Sequence, residues 1–275
     1  MKVALHPPMV VAIAKDNYLT PQHAFADNTY IPAMSPPRYG QDITSGCRFR
    51  APRGQSVGES PSELAPKMLK LLGIFAAGDK TGMARRLFDD FLNTRRTAVE
   101  YFDDERLNTA VGNHPNINSF CNAVVSAPNS PNRTTGQVRL HQSLKNAQWD
   151  IKKLHMPTNL GVPALNLGSK VFSTRDFNNG LGLMINGVQY VYVIATHYHY
   201  DSNAKKYWLT LNFVFYDIFG LDDDDLREYG AASDSIIAST ASVGITAWWQ
   251  LQHQFGYFPL VTRAATVKEY EIAAE

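Results

Sequence analysis

Residues 207–225 read Tyr-Trp-Leu-Thr-Leu-Asn-Phe-Val-Phe-Tyr-Asp-Ile-Phe-Gly-Leu-Asp-Asp-Asp-Asp. Apolar residues alternate here with a period of two, which predicts a β-strand with one face in the core. That face carries Tyr207, Leu209, Leu211, Phe213 and Phe215. Its next position is Asp217, where a buried and unpaired carboxylate would be very costly. Asp217 is therefore expected to be hydrogen-bonded, protonated or open to water at a cleft.

Gly220 breaks this strand, and the aspartates at 222–225 open what is predicted to be a helix. An acid on the core side of a strand end, beside a glycine turn, is where a general base or a metal ligand is expected. The alternative is that the Asp217 carboxylate caps the backbone of the Gly220 turn. We therefore take Asp217 as the leading candidate for chemistry and keep the capping role beside it.

The strand over 207–219 is expected to form a hairpin with residues 188–200. Both stretches are long and aromatic-rich, and the polar segment 201–206 between them has the composition of a tight turn. With the turn centred near Ala204, His197 is expected opposite Leu211 and Asp217 opposite Val191, an offset of six residues or about 20 Å along the strand. Candidate sites at the two ends of the hairpin are therefore separate.

Helical spacing of apolar residues after the aspartates predicts a long helix from about Ser235 to His253. Trp248 and Trp249 in this helix are interpreted as core residues in preference to a ligand platform. Two last strands are expected over 257–263 and 265–272. The first is expected at a sheet edge, because proline at 259 cannot donate to a hydrogen-bond ladder.

Helical periodicity dominates the N-terminal half of the chain. It predicts helices at about residues 60–78, 81–102, 117–125 and 140–154. Because helices come first and strands later, the expected fold class is α+β: a helical N-terminal half followed by an antiparallel β-sheet with one long helix packed against it.

The first sixty residues differ from the rest in composition, since they contain seven of the fifteen prolines and little periodicity. Residues 1–60 are expected to be an extended, proline-rich arm. Residues 61–275 are expected to form a single α+β domain, with a helical part over 61–156 and a β-rich part over 170–275.

Composition excludes several classes of function. The chain has 275 residues and a formal net charge of +1, so no strong electrostatic attraction to nucleic acid is expected. The arginines of the second predicted helix share it with acids, which indicates a solvated face. No stretch approaches the roughly 20 apolar residues of a membrane span. The N-terminus lacks a signal peptide's pattern, so export would use a route without a cleaved signal.

Two other patterns could bind a metal ion. His197, His199 and Asp201 alternate along one strand face and could present two imidazoles and a carboxylate to one metal. The alternative is that polar residues simply belong at the turn end of a hairpin. Asp222 to Asp225 could bind a divalent cation such as Mg²⁺. Acids at a helix N-terminus also complement the helix dipole, which is the favoured interpretation.

The chain has two cysteines, Cys47 and Cys121, and no CxxC pair for zinc. The two could form a disulfide. Alternatively, Cys47 could act as a nucleophile beside a histidine. The candidate histidines are His141, His155 and His253.

Three segments resemble motifs of an uncharacterised proteobacterial domain family. They are Asp176-Phe-Asn-Asn-Gly-Leu-Gly, Asp217-Ile-Phe-Gly-Leu-Asp-Asp and Gln254-Phe-Gly-Tyr-Phe-Pro. Looser matches at Pro37-Arg-Tyr-Gly and Leu87-Phe-Asp-Asp-Phe extend the resemblance over roughly residues 37–272. Members of that family occur near type VI secretion genes or fused to the secretion-tube protein. The resemblance implies an antibacterial effector, with tube or spike proteins and a cognate immunity protein as partners.

A second resemblance is to the catalytic motif of colicin M-type bacteriocins, which hydrolyse the lipid-linked peptidoglycan precursor. Asp217 and Arg227 match an acid and an arginine of that motif, and Phe219 stands in place of its tyrosine. Gly220 replaces its second aspartate. The resemblance implies that Asp217 is a base or metal ligand, that Arg227 neutralises a diphosphate, and that Phe219 and Asp222 contact the substrate.

The sequence therefore supports two hypotheses of different class. The first is an interbacterial toxin effector that hydrolyses a component of the cell envelope, delivered to the periplasm of the target cell. The second is a non-enzymatic binding or adaptor module of a secretion system, which engages a partner through a strand edge and aromatic surfaces. An open cleft with clustered polar groups at Asp217 would favour the enzyme. A packed and capped Asp217 would favour the binding module.

Overall fold

The structure, a computed structural model, describes residues 3–15, 58–97, 100–125, 140–154, 158–160, 175–188, 190–221, 223–230 and 236–274. Within these ranges the chain forms one sheet. Its strands are β1 (Val3–Lys15), β2 (Glu100–Asp103), β3 (Thr158–Leu160), β4 (Tyr190–Asp201), β5 (Lys206–Phe219) and β6 (Leu260–Ala273). Their order across the sheet is β2-β6-β5-β4-β1-β3. The central strands β6, β5, β4 and β1 are antiparallel, whereas β2 and β3 run parallel to their neighbours.

The described ranges also form helices, whose buried apolar side chains belong to the core on one face of the sheet. They are α1 (Pro61–Phe75), α2 (Met83–Phe91), α3 (Glu105–Gly112), α4 (Pro115–Val125), α5 (Leu140–Asn146), α6 (Arg175–Asn178), α7 (Leu181–Met184), α8 (Asp223–Tyr229) and α9 (Ile236–His253). A single turn of 3₁₀ helix covers Ile151–Lys153. Among the described residues, no helix combines the length and apolar character needed to cross a membrane.

The larger hydrophobic core lies between these helices and one face of the sheet. The alternate residues of β5 predicted to face inward, from Tyr207 to Phe215, are all buried there. Helix α9 packs through Trp248 onto Phe219 at the end of β5, with ring centroids 4.3 Å apart. The α+β class is therefore confirmed, with helices preceding most of the sheet and one long helix packed on it. The sheet, expected to be antiparallel, is mixed, because β2 and β3 run parallel to their neighbours.

A smaller apolar cluster of strand side chains lies on the opposite face of the sheet, around Tyr192 and Tyr216. Side chains on both faces of the central strands are buried, and β4 and β5 are accordingly nearly continuous apolar runs toward their shared end. The predicted hairpin is confirmed, since β4 and β5 pair in antiparallel fashion around the 201–206 turn.

Strand β1 corrects the expectation of an arm for residues 3–15. This segment pairs with β4 on one side and β3 on the other, so it belongs to the sheet. Its two prolines, Pro7 and Pro8, lie where the pairing with β4 is interrupted between Ala4 and Met9. Proline has no N–H to donate, so an irregularity in the ladder accommodates it. The rest of the predicted arm, from residue 16 to residue 57, lies outside the described residues.

The second predicted helix is wrong beyond Phe91. Helix α2 ends there, and Glu100–Asp103 form the edge strand β2 with Phe102 buried. Arg96, expected to face solvent, lies between these elements and donates hydrogen bonds to the carbonyls of Phe91, Phe258 and Pro259. A helical repeat and a short strand both place an apolar residue at 102, so spacing alone could not separate them.

Two further boundaries differ from the sequence predictions. The helix expected over 140–154 ends at Asn146 and is followed by a separate 3₁₀ turn. The two strands expected after α9 are one continuous strand, β6, which begins directly after Pro259. Because Pro259 precedes the strand, it breaks no hydrogen bond of the ladder, and β6 pairs along its whole length with β5.

Candidate functional site

Asp217 lies on the core face of β5, two residues before the strand ends. Its side chain is enclosed, with 7% of the residue's surface exposed. Both carboxylate oxygens accept hydrogen bonds from main-chain amides: Oδ2 from Gly187 at 3.1 Å and Oδ1 from Ile218 at 2.8 Å. The carboxylate is thus a cap, as the alternative interpretation proposed. It caps the segment before β4, however, and not the Gly220 turn.

Burial raises the pKa of Asp217 from 3.8 to about 7, and the negative charge of Asp225 adds to the rise. The two amide donors oppose the rise because they stabilise the charged form, but they do not outweigh desolvation. Asp217 therefore exchanges its proton near neutral pH, which is the range in which a carboxyl can act as a general acid or base.

Two other polar groups lie near this carboxyl. Thr262 is the residue of β6 directly opposite Asp217 and is fully buried. Its hydroxyl, like the side-chain oxygen of Asn186, is buried and makes no hydrogen bond within the described part of the chain. Residues opposite each other on antiparallel strands have Cβ atoms about 5 Å apart. The described residues at the end of β5 therefore form a small buried polar site.

Of the other residues of the predicted site, the structure describes Arg227 and Phe219. Arg227, on α8, has an exposed side chain, and neither hydrogen bond of the Asp217 carboxylate comes from it. Phe219 is 1% exposed and packs against Phe88 and Trp248, and its contact with a substrate stays a prediction. The side chain is a core residue because it continues the inward face of β5. Asp222 lies outside the described residues.

The Gly220 turn is held by α9. Gln252, which is buried, accepts a hydrogen bond from the Leu221 amide and donates one to the Leu221 carbonyl, each at 3.0 Å. His253 contacts the same carbonyl through Nε2 at 2.7 Å. A Cβ atom at position 220 would lie 3.0 Å from Gln252 Oε1, so the close approach of α9 favours glycine there. Nothing in the residue pattern indicates this role for Gln252 beyond its place in the long helix.

The predicted metal ligands at the other end of the hairpin are engaged locally. Asp201 accepts hydrogen bonds from the amides of Asn203 and Ala204, which lower its pKa. His199 stacks on Trp208, with ring centroids 5.6 Å apart. His197 contacts the hydroxyl of the preceding threonine at 3.1 Å. Among the described residues, no three His, Cys, Asp or Glu side chains are placed to hold a metal ion.

A β-bulge beside His197 also changes the expected register. His197 lies opposite Thr210, one position from the residue predicted, and Val191 lies opposite Phe215. Thr210 and Asp217 are seven residues apart on β5, or about 23 Å at the usual rise of a strand. The expectation that the two ends of the hairpin are separate sites therefore agrees with the register.

The sequence analysis missed a buried hydrogen-bonded pair, His114 and Asp176. His114 Nε2 lies 2.9 Å from Asp176 Oδ1, and both side chains are 8% exposed. The amide of Asn116 donates to His114 Nδ1, so the ring proton is on Nε2 and is donated to Asp176. Both ring nitrogens are thus occupied, and the pair ties the start of α4 to α6. The signal for it was the His-Pro dipeptide at a helix start.

The motif that begins at Asp176 has a structural role in this chain. The Asn178 carbonyl accepts a hydrogen bond from the Gly78 amide at 2.8 Å, after the end of α1. Asn179 accepts one from the Leu181 amide at the start of α7. Gly180 has φ +87°, and a Cβ there would lie 3.0 Å from the Cβ of Ala84. The motif therefore joins α6 and α7 to α1 and α2.

The cysteine hypotheses find no support in the described residues. Cys121 is a free, buried thiol, and burial raises its pKa to about 12, so it is a poor nucleophile. His141 is buried and contacts the Tyr207 hydroxyl at 2.9 Å. Cys47 and His155 lie outside the described residues.

Trp248 and Trp249 are buried, which confirms their interpretation as core residues.

Comparisons with known proteins do not assign the chain to a family. The chain matches no protein-family model, and the comparisons with curated proteins and with solved structures find no significant relative.

Proposed function

We propose that this chain is a binding module that engages a protein partner, and that Asp217 serves the fold. The observation that carries the proposal is the state of Asp217: it is enclosed, and main-chain amides occupy both of its oxygens. A carboxylate in that position holds the entry to β4 against the end of β5. A general base, in contrast, needs a path to the proton that it removes.

The sheet supports a binding role because, in the described ranges, part of one edge has no neighbouring strand. Edge strand β2 pairs only with the first residues of β6, as far as Arg263. Beyond that point the side chains of Val267, Glu269 and Glu271 are exposed. Unpaired strand edges are surfaces to which other chains add strands.

The biological setting of the proposal rests on the sequence resemblance. A chain that resembles type VI secretion-associated effectors is proposed to work in the same setting, with a tube or spike protein or a cognate immunity protein as its partner. Export without a cleaved signal and delivery to the periplasm of a target cell belong to the same proposal.

A second candidate is an envelope hydrolase that uses Asp217, and one observation favours it. The pKa of Asp217 is raised to about 7 beside two buried polar groups, Thr262 and Asn186, whose oxygens make no hydrogen bond in the described ranges. Strongly raised pKa values are concentrated at catalytic sites, although structural sites also produce them. A bound divalent cation such as Mg²⁺ belongs to this candidate.

One experiment distinguishes the two candidate functions by varying the cell compartment in which the protein is produced and by replacing Asp217 with Asn. The wild type and the variant are produced in the cytoplasm and, with an added export signal, in the periplasm of a test bacterium, and lysis is scored. A binding module is expected to give the same result for both proteins. Periplasm-dependent lysis that Asp217→Asn abolishes, while the variant stays folded by circular dichroism, would contradict the proposal. Asp201→Asn, in the exposed hairpin turn, is the matched control.

A further inference from the structure

The outward side of β6 can be assigned residue by residue. The amide of Ala265 donates to Asn108 Oδ1 of α3 at 2.8 Å, so its N–H points away from β5. The pairing of β5 with β6 has no irregularity from Lys206↔Ala273 to Phe219↔Leu260. In a regular antiparallel ladder the N–H and C=O of one residue point to the same side, and that side alternates along the strand. The main-chain groups of residues 267, 269, 271 and 273 therefore also point away from β5.

These outward groups form the open edge, which we define as residues 267–273. Asn108 covers Ala265, and Lys268 turns its ammonium to the Gly112 carbonyl and to Asn118 Oδ1. Beyond them, the structure gives β6 no strand neighbour on this side in the described part of the chain. Val267 is 61% exposed. Seven residues span about 23 Å, enough to pair with a strand of ordinary length.

A second copy of the chain fits this edge poorly. When two copies pair edge to edge about a two-fold axis, the numbers of the two residues in every opposing pair add up to the same value. The registers centred on residues 269, 270 and 271 use most of the open edge. They pair Glu269 with its own copy, Glu269 with Glu271, and Glu271 with its own copy, so each register puts a glutamate opposite a glutamate. Like charges directly opposite each other destabilise a pair of strands.

The same charges identify a better partner. Glu269 and Glu271 are exposed on one face of the edge, and Glu271 already attracts Lys206 across the strands at 2.9 Å. On the other face, Tyr270 and Ile272 are partly buried against the core. An added strand would therefore meet carboxylates with one set of alternate residues and apolar surface with the other.

We propose that the open edge of β6 binds an extended segment of a partner protein in which basic and apolar residues alternate. The segment adds a seventh strand, with Lys or Arg opposite Glu269 and Glu271 and apolar side chains beside Tyr270 and Ile272. Main-chain hydrogen bonds supply most of the affinity, and the alternating charges supply the register. This inference rests on the proposed function and names the surface and the partner chemistry.

The test uses the full chain and a fluorescent nine-residue peptide that alternates Lys and Val, with binding followed by anisotropy. A Glu/Val peptide tests charge, and a Lys/Val peptide methylated on alternate amides tests main-chain pairing. Each control peptide is expected to bind at least tenfold more weakly. Val267→Pro removes one outward N–H and is expected to weaken binding about tenfold, whereas Val267→Thr keeps that N–H and is expected to bind like the wild type. Proline is tolerated at such edge positions, and thermal melts verify the fold.

Two results would overturn the inference. One is the absence of Lys/Val peptide binding at millimolar peptide. The other is binding that Val267→Pro and amide methylation leave unchanged, because the peptide would then bind elsewhere. Neither result bears on Asp217. If Asp217→Asn behaves like the wild type in both compartments, the chain is still a binding module and uses a different surface.

Discussion

The stability of this protein is expected to depend on pH through Asp217. The folded chain holds the Asp217 proton up to a pKa of about 7, whereas the ordinary value is 3.8. Between these pH values the folded state binds more protons than the unfolded state. The free energy of unfolding therefore falls as pH rises from about 4 to about 7, and this contribution is constant above that range.

The size of the effect follows from the two pKa values. A difference of about three pH units, at about 1.4 kcal/mol per unit, gives roughly 4 kcal/mol for this enclosed group. That amount is a large share of the roughly 5–15 kcal/mol that typically separates a folded protein from its unfolded state. Asp217→Asn removes the ionisation and keeps the shape of the side chain. The Asn side chain has one acceptor oxygen, and its NH2 group would face the other main-chain N–H. Two donors cannot bond to each other, so the variant loses one hydrogen bond at every pH.

Urea denaturation of the wild type and Asp217→Asn at pH 4, 5, 6, 7 and 8 measures the effect. The quantity to compare is the change in the free energy of unfolding between pH 4 and pH 7 within each protein, because the lost hydrogen bond cancels from it. The wild type is expected to lose about 4 kcal/mol more than the variant over this range. The same pH dependence in both proteins would refute the claim that Asp217 is buried and protonated in the folded state.

Asp201→Asn is a control for which the pH dependence of stability is expected to run in the opposite direction. Amide hydrogen bonds in the hairpin turn lower the pKa of Asp201, so this carboxylate stabilises the fold above its unfolded pKa and loses the effect as pH falls. Its removal is expected to weaken the protein at neutral pH and to have little effect in acid.

Three further changes test particular contacts. Gln148 occupies the left-handed position after α5, with φ 55°, where the amides of Gln148 and Trp149 bond back to Lys145 and Leu144. Gln148→Gly is therefore expected to stabilise the protein by about 1 kcal/mol and to raise its melting temperature. Lys145→Gly, inside the helix, is the control and is expected to destabilise the protein by about 1 kcal/mol and to lower its melting temperature. His114→Ala leaves Asp176 buried without its donor and is expected to cost roughly 3 kcal/mol in urea denaturation; a cost below about 1 kcal/mol would show that the pair is open to water. Phe219→Ala empties a site between Phe88 and Trp248 and is expected to cost about 3–5 kcal/mol, against less than about 1.5 kcal/mol for the larger replacement Phe219→Leu.

The hairpin and the helix α9 could be predicted because their signals are local. Alternation of apolar residues in β5 identifies its inward face, and the polar turn at 201–206 leaves one way for the two strands to meet. The same alternation is enough to place Asp217 on the core face. Strand β1 could not be predicted in this way, because its prolines suggest a loop and its partners lie about 150 to 190 residues further along the chain.

Residue patterns alone indicate that this protein combines helices with a long aromatic hairpin and that an acid lies on the inner face of that hairpin. The role of the acid depends on the folded chain: Gly187, thirty residues earlier, supplies one amide, and the packing around β5 removes water and raises the pKa of Asp217. The pairing of His114 with Asp176, sixty-two residues apart, was decided in the same way. Residue spacing determines which side of a strand or helix a side chain occupies. Its hydrogen-bond partner and its contact with water depend on distant segments that only folding brings together.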